Sequence, residues 1–159
     1  MWQGRAGRAC RRNQLVINGV LQGFLHNTYT GRRSGTASTG SAQRGFASTP
    51  GVGAGALAVA PGLGTHAEVL ATVDNGLFVT SMAGLHSGVN PVSGDFSVGV
   101  EGLMVRGGAL AEPVREATIA STVQRLLLDI SAVGADLEWL PDGTGGVTLV
   151  IPDVALSGA

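Results

Sequence analysis

Apolar residues recur along this chain at two spacings, and they place most of its elements. Gln14-Leu15-Val16-Ile17 and Val20-Leu21-Gln22-Gly23-Phe24-Leu25 flank Asn18-Gly19. An Asn-Gly pair between two apolar runs predicts a β-hairpin, because both residues accept the positive φ angles of a type I′ turn. Thr28 to Thr49 has no apolar period and reads as a long irregular excursion, while Ala56 to Ala60 is a short strand. Thr65-His66-Ala67-Glu68 has the form of a capping box and predicts a short helix over 65–73, ended by Asn75-Gly76. Strand character resumes at Leu77-Phe78-Val79-Thr80 and again from Phe96 through Val98, Val100, Leu103 and Val105, with Arg106-Gly107-Gly108 turning the chain into Ala109-Leu110 and Pro113-Val114. Ile119, Val123, Leu126, Leu127, Ile130 and Val133 fall on one face at helical spacing, so a long packed helix is expected over 118–133, with Leu127 in the core and Gly134 at its C-terminal cap. Val147 to Ile151 and Val154 to Leu156 close the chain as strands. The pattern predicts an α+β fold weighted to β, with mixed and antiparallel strands, hairpins, one long helix and one short one.

Composition supports that reading. Of 159 residues 26 are glycine, and glycine costs about 1 kcal/mol in a helix interior, which excludes a helix bundle. Hydrophobic residues make up 44% of the chain, enough for a core, whereas the 4% of aromatics is too few for a base-stacking platform. Residues 1–12 lack apolar periodicity and read as a poorly ordered leader without the apolar stretch of a secretory signal. The longest uncharged run, ending at Glu68, is broken by Pro50, Pro61 and several glycines, so no spanning helix is expected and the chain reads as cytoplasmic.

Charge is unevenly placed. Every basic residue is arginine, seven of the ten lie between Arg5 and Arg44, and all eleven acids follow from Glu68 onward. A basic half beside an acidic half fits nucleic-acid binding through Arg5 to Arg44, or complementary interfaces. No helical stripe joins the short pairs Arg11-Arg12 and Arg32-Arg33, so nucleic acid is the weaker reading.

The candidate chemistry is sparse. A lone Cys10 excludes an internal disulfide, and His26, His66 and His86 are scattered without an H-x-x-x-H pair, so no metal site is expected from this chain. Gly62-Leu63-Gly64-Thr65-His66-Ala67 superficially matches a dinucleotide fingerprint, but no acid ends a second strand near twenty residues on; a glycine-rich turn before a capped helix is the simpler reading. The stretch 84–97 gathers His86, Asn90, Asp95 and the serines Ser87, Ser93 and Ser97 among glycines. A Ser/His/Asp hydrolase can be drawn from His86, Asp95 and Ser87 or Ser93, but no G-x-S-x-G elbow is present, and a tight loop satisfying its own backbone is favoured.

The same stretch carries a resemblance. Asn90-Pro91-Val92-Ser93-Gly94-Asp95-Phe96-Ser97, then Gly99, Glu101-Gly102-Leu103, Pro113-Val114 and Thr118-Ile119-Ala120, resemble the C-terminal domain of the TldD/PmbA family. Val133-Gly134-Ala135-Asp136-Leu137-Glu138, Thr28-Tyr29-Thr30-Gly31-Arg32-Arg33 and Ser38-Thr39-Gly40 extend it in unbroken order, so the domain is expected at 13–159, without the family's N-terminal domain. Residues 1–12 stand outside it and read as a truncated or mis-started beginning.

The resemblance implies a cytoplasmic zinc metallopeptidase of two subunit types that digests extended peptides. In it the TldD-like subunit supplies zinc through an H-E-x-x-x-H helix and a cysteine near the C-terminus, and the TldE (PmbA) type lacks these ligands. Asp136 to Gly158 contains no cysteine, so the chain resembles the non-catalytic type, with zinc expected in a TldD-like partner. By the same resemblance His86, Asn90, Ser93, Asp95 and Phe96 form a motif loop facing substrate or partner, and Tyr29, Arg32 and Arg33 an early-loop interface.

Overall fold

The computed structural model describes residues 10–158. Their elements in chain order are β1 (Val16–Ile17), β2 (Val20–Leu21), α1 (Thr28–Arg33), β3 (Ala42–Gln43), β4 (Gly51–Val52), β5 (Leu57–Ala58), α2 (His66–Ala71), β6 (Asn75–Ala83), α3 (Leu85–Gly88), β7 (Asp95–Arg106), β8 (Ala109–Thr122), α4 (Val123–Leu128), β9 (Ala132–Val133), β10 (Glu138–Trp139), β11 (Thr144–Gly146), β12 (Leu149–Val150) and β13 (Ala155–Ser157). This is the expected α+β arrangement, rich in β and dominated by antiparallel pairing. The chain divides into two compact units, Met1–Ala58 with Trp139–Gly145, and Val59–Glu138 with Gly146–Ala159. Of the leader read at 1–12, residues 1–9 lie outside the described residues, and Cys10, Arg11 and Arg12 are exposed and outside regular structure.

In the first unit, β1 and β2 pair antiparallel around Asn18 (φ 49°) and Gly19 (φ 76°), the turn the Asn-Gly pair predicts. The excursion expected to be irregular from Thr28 opens instead with α1. Asn27 caps it: its Oδ1 accepts from the Thr30 amide at 2.8 Å, and the Thr30 hydroxyl in turn accepts from the Asn27 amide at 3.1 Å. The same buried side chain donates to the carbonyls of Pro50 and Gly51, so one asparagine closes a helix and ties it to β4. Antiparallel β3 and β4 follow, and Thr144 and Gly145 of β11 pair in parallel with Leu57 and Ala58 of β5.

The second unit is built on a four-stranded antiparallel sheet in the order β13-β8-β7-β6. Strands β7 and β8 are joined through Gly107 (φ 56°) and Gly108 (φ 78°), both in the left-handed region that an L side chain rarely adopts. Burial alternates along β7, with Phe96, Val98 and Val100 turned inward onto Val114 and Ala117 of β8. Leu77, Val79, Val89, Met104, Ile119 and Leu126 pack around this cluster. At the other end of the sheet, Gly107 and Gly108 donate to the carbonyls of Asp74 and Val73, anchoring the segment that follows α2 on the β7–β8 turn. The capping box is present: Glu68 accepts from the Thr65 amide at 2.8 Å, and Thr65 Oγ1 accepts from the Glu68 amide at 3.3 Å.

The long helix expected over 118–133 is corrected. Thr118, Ile119 and Ala120 continue β8, paired with Ser157, Leu156 and Ala155 of β13, and only Val123–Leu128 is helical. The physical reason is the run Thr118-Ile119-Ala120-Ser121-Thr122, in which β-branched and hydroxyl side chains favour an extended backbone. Thr122 then caps α4 through its side chain, accepting from the Arg125 amide at 3.2 Å. Leu126 packs on the core, whereas Leu127 is 64% exposed, so the placement of Leu127 in the core is also corrected. Gly134 caps no helix; it forms a parallel bridge with Gly64, and its amide donates to the Thr148 carbonyl.

Candidate functional site

The motif loop at 84–97 is assembled from short-range bonds. Gly84, at φ 81°, starts α3, and its carbonyl accepts from the Ser87 and Gly88 amides. Asn90 Oδ1 accepts from the amides of Val92 and Ser93, an Asx turn that folds Pro91-Val92-Ser93 back on itself. The Asn90 amide donates to the Asp95 carbonyl and the Gly94 amide to the Asn90 carbonyl. Ser93 Oγ donates to Asp95 Oδ2 at 2.6 Å and accepts from the Asp95 amide at 3.3 Å. The loop is then fastened to α4, since the Val123 amide donates to the Gly94 carbonyl and Gln124 Nε2 to the Ser93 carbonyl.

The structure thus brings Asn90, Ser93 and Asp95 together, but as braces of a turn. Phe96 is buried in the hydrophobic core rather than presented outward. His86 is exposed on α3, and among the described residues no side-chain hydrogen bond or ion pair reaches its ring. Ser93 bonds Asp95 directly and Ser87 Oγ donates to the Gly84 carbonyl, so neither serine meets an imidazole and the Ser/His/Asp arrangement is not assembled. Asn90, Asp95 and Phe96 line an open cleft of about 540 Å³ together with Ser87, Gly88 and Ser97.

In the early loop, Tyr29 and Arg33 share an exposed face of α1. The Arg33 guanidinium lies 5.8 Å from the Tyr29 ring centroid, and its Nη1 donates to the Tyr29 hydroxyl at 3.3 Å. Arg32 is exposed beside them. Arg5 and Arg8 of the basic half lie outside the described residues; Arg11, Arg12, Arg32 and Arg33 are exposed, and among the described residues no carboxylate pairs with them. Arg44 Nε donates to the Ser48 carbonyl.

A third polar cluster escaped the sequence reading. Thr148 Oγ1 stands 2.5 Å from Asp136 Oδ2 and 3.0 Å from His66 Nδ1, and the Thr148 amide donates to Asp136 Oδ1 at 3.1 Å. The His66 ring meets Phe78 edge to face, with centroids 5.3 Å apart. The Thr148 hydroxyl and amide hold the Asp136 carboxyl below the usual aspartate range, with a smaller contribution from His66. No local signal joins positions 66, 136 and 148; the Gly64–Gly134 bridge and the Gly134–Thr148 bond bring them together. That bridge also accounts for the glycine-rich turn at 62–65. A Cβ on Gly62 would collide with the Val133 carbonyl, so Gly62 serves close backbone packing and needs no phosphate to explain it.

These donors do not fit a zinc ion. Among the described residues no three His, Cys, Asp or Glu side chains are grouped so as to hold a cation. His26 Nδ1 and His66 Nδ1 face threonine hydroxyls, and Cys10 is exposed. Among the described residues no helix is long and apolar enough to cross a membrane.

The chain is similar to known proteins over nearly all of its length. Residues 5–158 match the family model described as the PmbA/TldA metallopeptidase C-terminal domain. A PmbA homologue named as a metalloprotease from Haemophilus influenzae is 37% identical over 79% of this chain and 26% of its own length. Metalloprotease PmbA from Escherichia coli O157:H7 is 29% identical over 96% of this chain and 31% of its own. Among solved structures, a candidate DNA gyrase modulator from Thermotoga maritima superposes with a TM-score of 0.84 at 31% identity, covering 96% of this chain and 34% of that one. TldE from Thermococcus kodakarensis superposes at 0.78 with 27% identity, over 91% of this chain and 33% of that one. The chain therefore spans about a third or less of the length of these relatives. A family match over residues 5–158, carried on the same β-rich fold, places this chain in the PmbA/TldA metallopeptidase C-terminal domain family.

Proposed function

We propose that this chain is the C-terminal domain of a TldE/PmbA-like subunit, itself non-catalytic, which works with a TldD-like subunit that carries the zinc. The pair cleaves extended peptides in the cytoplasm, and this domain contributes to assembly and to the path along which a peptide lies. The observation that carries the reading is the use to which the motif loop puts its polar groups. Asn90 and Asp95, which line the cleft, and Ser93, which braces them, are bonded within the loop rather than presenting a nucleophile with its base. Strand β6 adds a long sheet edge, bonded on one side only to β7, of the kind that accepts an extended chain by strand addition. The likeness to PmbA proteins and to TldE supports the choice of subunit type.

The test is reconstitution. The chain is expected to co-purify with a TldD-like subunit, and the pair to cleave an unstructured peptide in a reaction abolished by chelation and restored by zinc. A pair that never associates, or cleavage by this chain alone, overturns the proposal.

A further inference from the structure

We propose that the cleft at the end of β6 selects a lysine side chain of an extended peptide, with Asp95 as its anion. The inference rests on the reading of β6 as a peptide-binding edge. The cleft lies wholly within the second unit. Ala83, the last residue of β6, lines it beside Ser87 and Gly88 of α3, and Asp95, Ser97 and Gly99 of β7 join them. A peptide paired along β6 therefore reaches the cleft at the end of the strand. Side chains alternate across a strand, so Asp95, Ser97 and Gly99 share the face opposite Phe96, Val98 and Val100, which are turned into the core. Ala83 stands opposite Gly99 in the β6–β7 register. With only a methyl group and a hydrogen at this pair, a long side chain from a neighbouring peptide strand passes over it unobstructed. A Cβ on Gly88 would collide with the Ser97 carbonyl, so α3 packs directly against β7 and closes one side.

Charge and hydrogen bonding select the occupant. Asp95 is the one charged group among the lining residues. Its Oδ2 accepts from Ser93 Oγ at 2.6 Å, while Oδ1 has no hydrogen-bond partner among the described residues. Ser87 Oγ donates to the Gly84 carbonyl and keeps its lone pairs, and no bond engages Ser97 Oγ among the described residues. The cleft thus offers one ionised and two hydroxyl acceptors, and an ammonium group carries three donors and accepts nothing. A guanidinium pairs best with both oxygens of a carboxylate, and Ser93 already holds one of them. The sequence bounds of the second unit hold ten carboxylates against three arginines, a net charge of −7, so the surrounding field also favours a cation.

Fluorescence anisotropy on the full chain tests it, with a dye-labelled, end-capped peptide in which lysine alternates with threonine, so that one side of the strand is cationic in any register. Its counterpart carries norleucine, which keeps the stem and lacks the ammonium. The lysine peptide is expected to bind about three- to fivefold more tightly, the scale of an exposed ion pair, and Asp95→Asn to remove that difference. Asparagine still accepts from Ser93, so the melting temperature of this variant is expected to stay unchanged. Asp153→Asn, at an exposed carboxylate outside the cleft, is expected to keep the preference. Equal affinities for the two peptides overturn the proposal, as does a preference that survives Asp95→Asn or is lost equally in Asp153→Asn. Binding of neither peptide overturns the strand-addition reading and this inference together, whereas equal binding of both overturns this inference alone. The measurement uses this chain by itself, so failure to pair with a TldD-like subunit does not alter its outcome.

Discussion

Thr148 gives its hydroxyl proton to Asp136 Oδ2 at 2.5 Å, and its oxygen therefore has only lone pairs to offer His66 Nδ1 at 3.0 Å. A carboxylate accepts and cannot donate, so the direction of the first bond fixes that of the second. Neutral His66 is then the Nδ1–H tautomer, with its lone pair on Nε2. Nitrogen chemical shifts of the imidazole check this: an Nε2 shift in the unprotonated range is expected, and Thr148→Val is expected to release the preference.

The same cluster gives stability a defined pH dependence. Asp136 has its carboxyl lowered by the Thr148 bonds, so its ionised form favours the folded state. That contribution is complete above the ordinary aspartate value near pH 4 and is lost as pH falls through the lowered folded value. Melting temperature is expected to drop on acidification below about pH 4 in the wild type, and to drop less in Asp136→Asn. Identical acid limbs in the two proteins would remove the role assigned to Asp136.

Two neighbouring leucines separate the observed strand and short helix from the long helix read in the sequence. Leu126→Ala removes a side chain packed on the Phe96–Val98–Val100 cluster and is expected to cost about 1–3 kcal/mol. Leu127→Ala acts on an exposed side chain and is expected to stay within about 0.5 kcal/mol of wild type. Urea denaturation of both variants decides it; a larger cost at 127 would restore the long-helix packing.

Asn27 joins α1 to the Pro50–Gly51 segment through a single side chain. Asn27→Ala takes away the α1 cap and leaves the Pro50 and Gly51 carbonyls without that donor, for an expected loss of about 2–3 kcal/mol. Asn27→Asp keeps the cap but not the donors, and is expected to recover only part of the loss in the same denaturation measurement.

What was legible in the sequence was what local chemistry decides. Asn18-Gly19, Gly107-Gly108 and the Thr65–Glu68 box each carry their own backbone preference, and each lies where it was read. Helix α1 was missed although Asn27 and Thr30 spell a cap at the right spacing, because the Ser/Thr/Gly-rich stretch after it hid the signal. Ile119, Val123 and Leu126 satisfy a helical period while Ile119 belongs to a strand, since over so short a run the two periods share inward positions. The motif loop was legible as a tight turn, as the bonds of Asn90 and Ser93 show. The His66–Thr148–Asp136 cluster was not, because its members meet only through the bridge between Gly64 and Gly134.

The motif loop offers a test of the hydrolase alternative. Ser93→Ala and His86→Ala are each expected to leave peptide cleavage by the reconstituted pair within about threefold, since neither residue is placed as nucleophile or base. A loss of about a hundredfold or more in either variant would mark that residue as part of the chemistry.

Metal content of the purified chain bears most directly on the non-catalytic reading. Exchanged against zinc and freed of loosely bound ions, the chain alone is expected to retain far less than one zinc per molecule, while the pair with a TldD-like subunit retains one. An equimolar zinc ion held by this chain by itself would contradict the account.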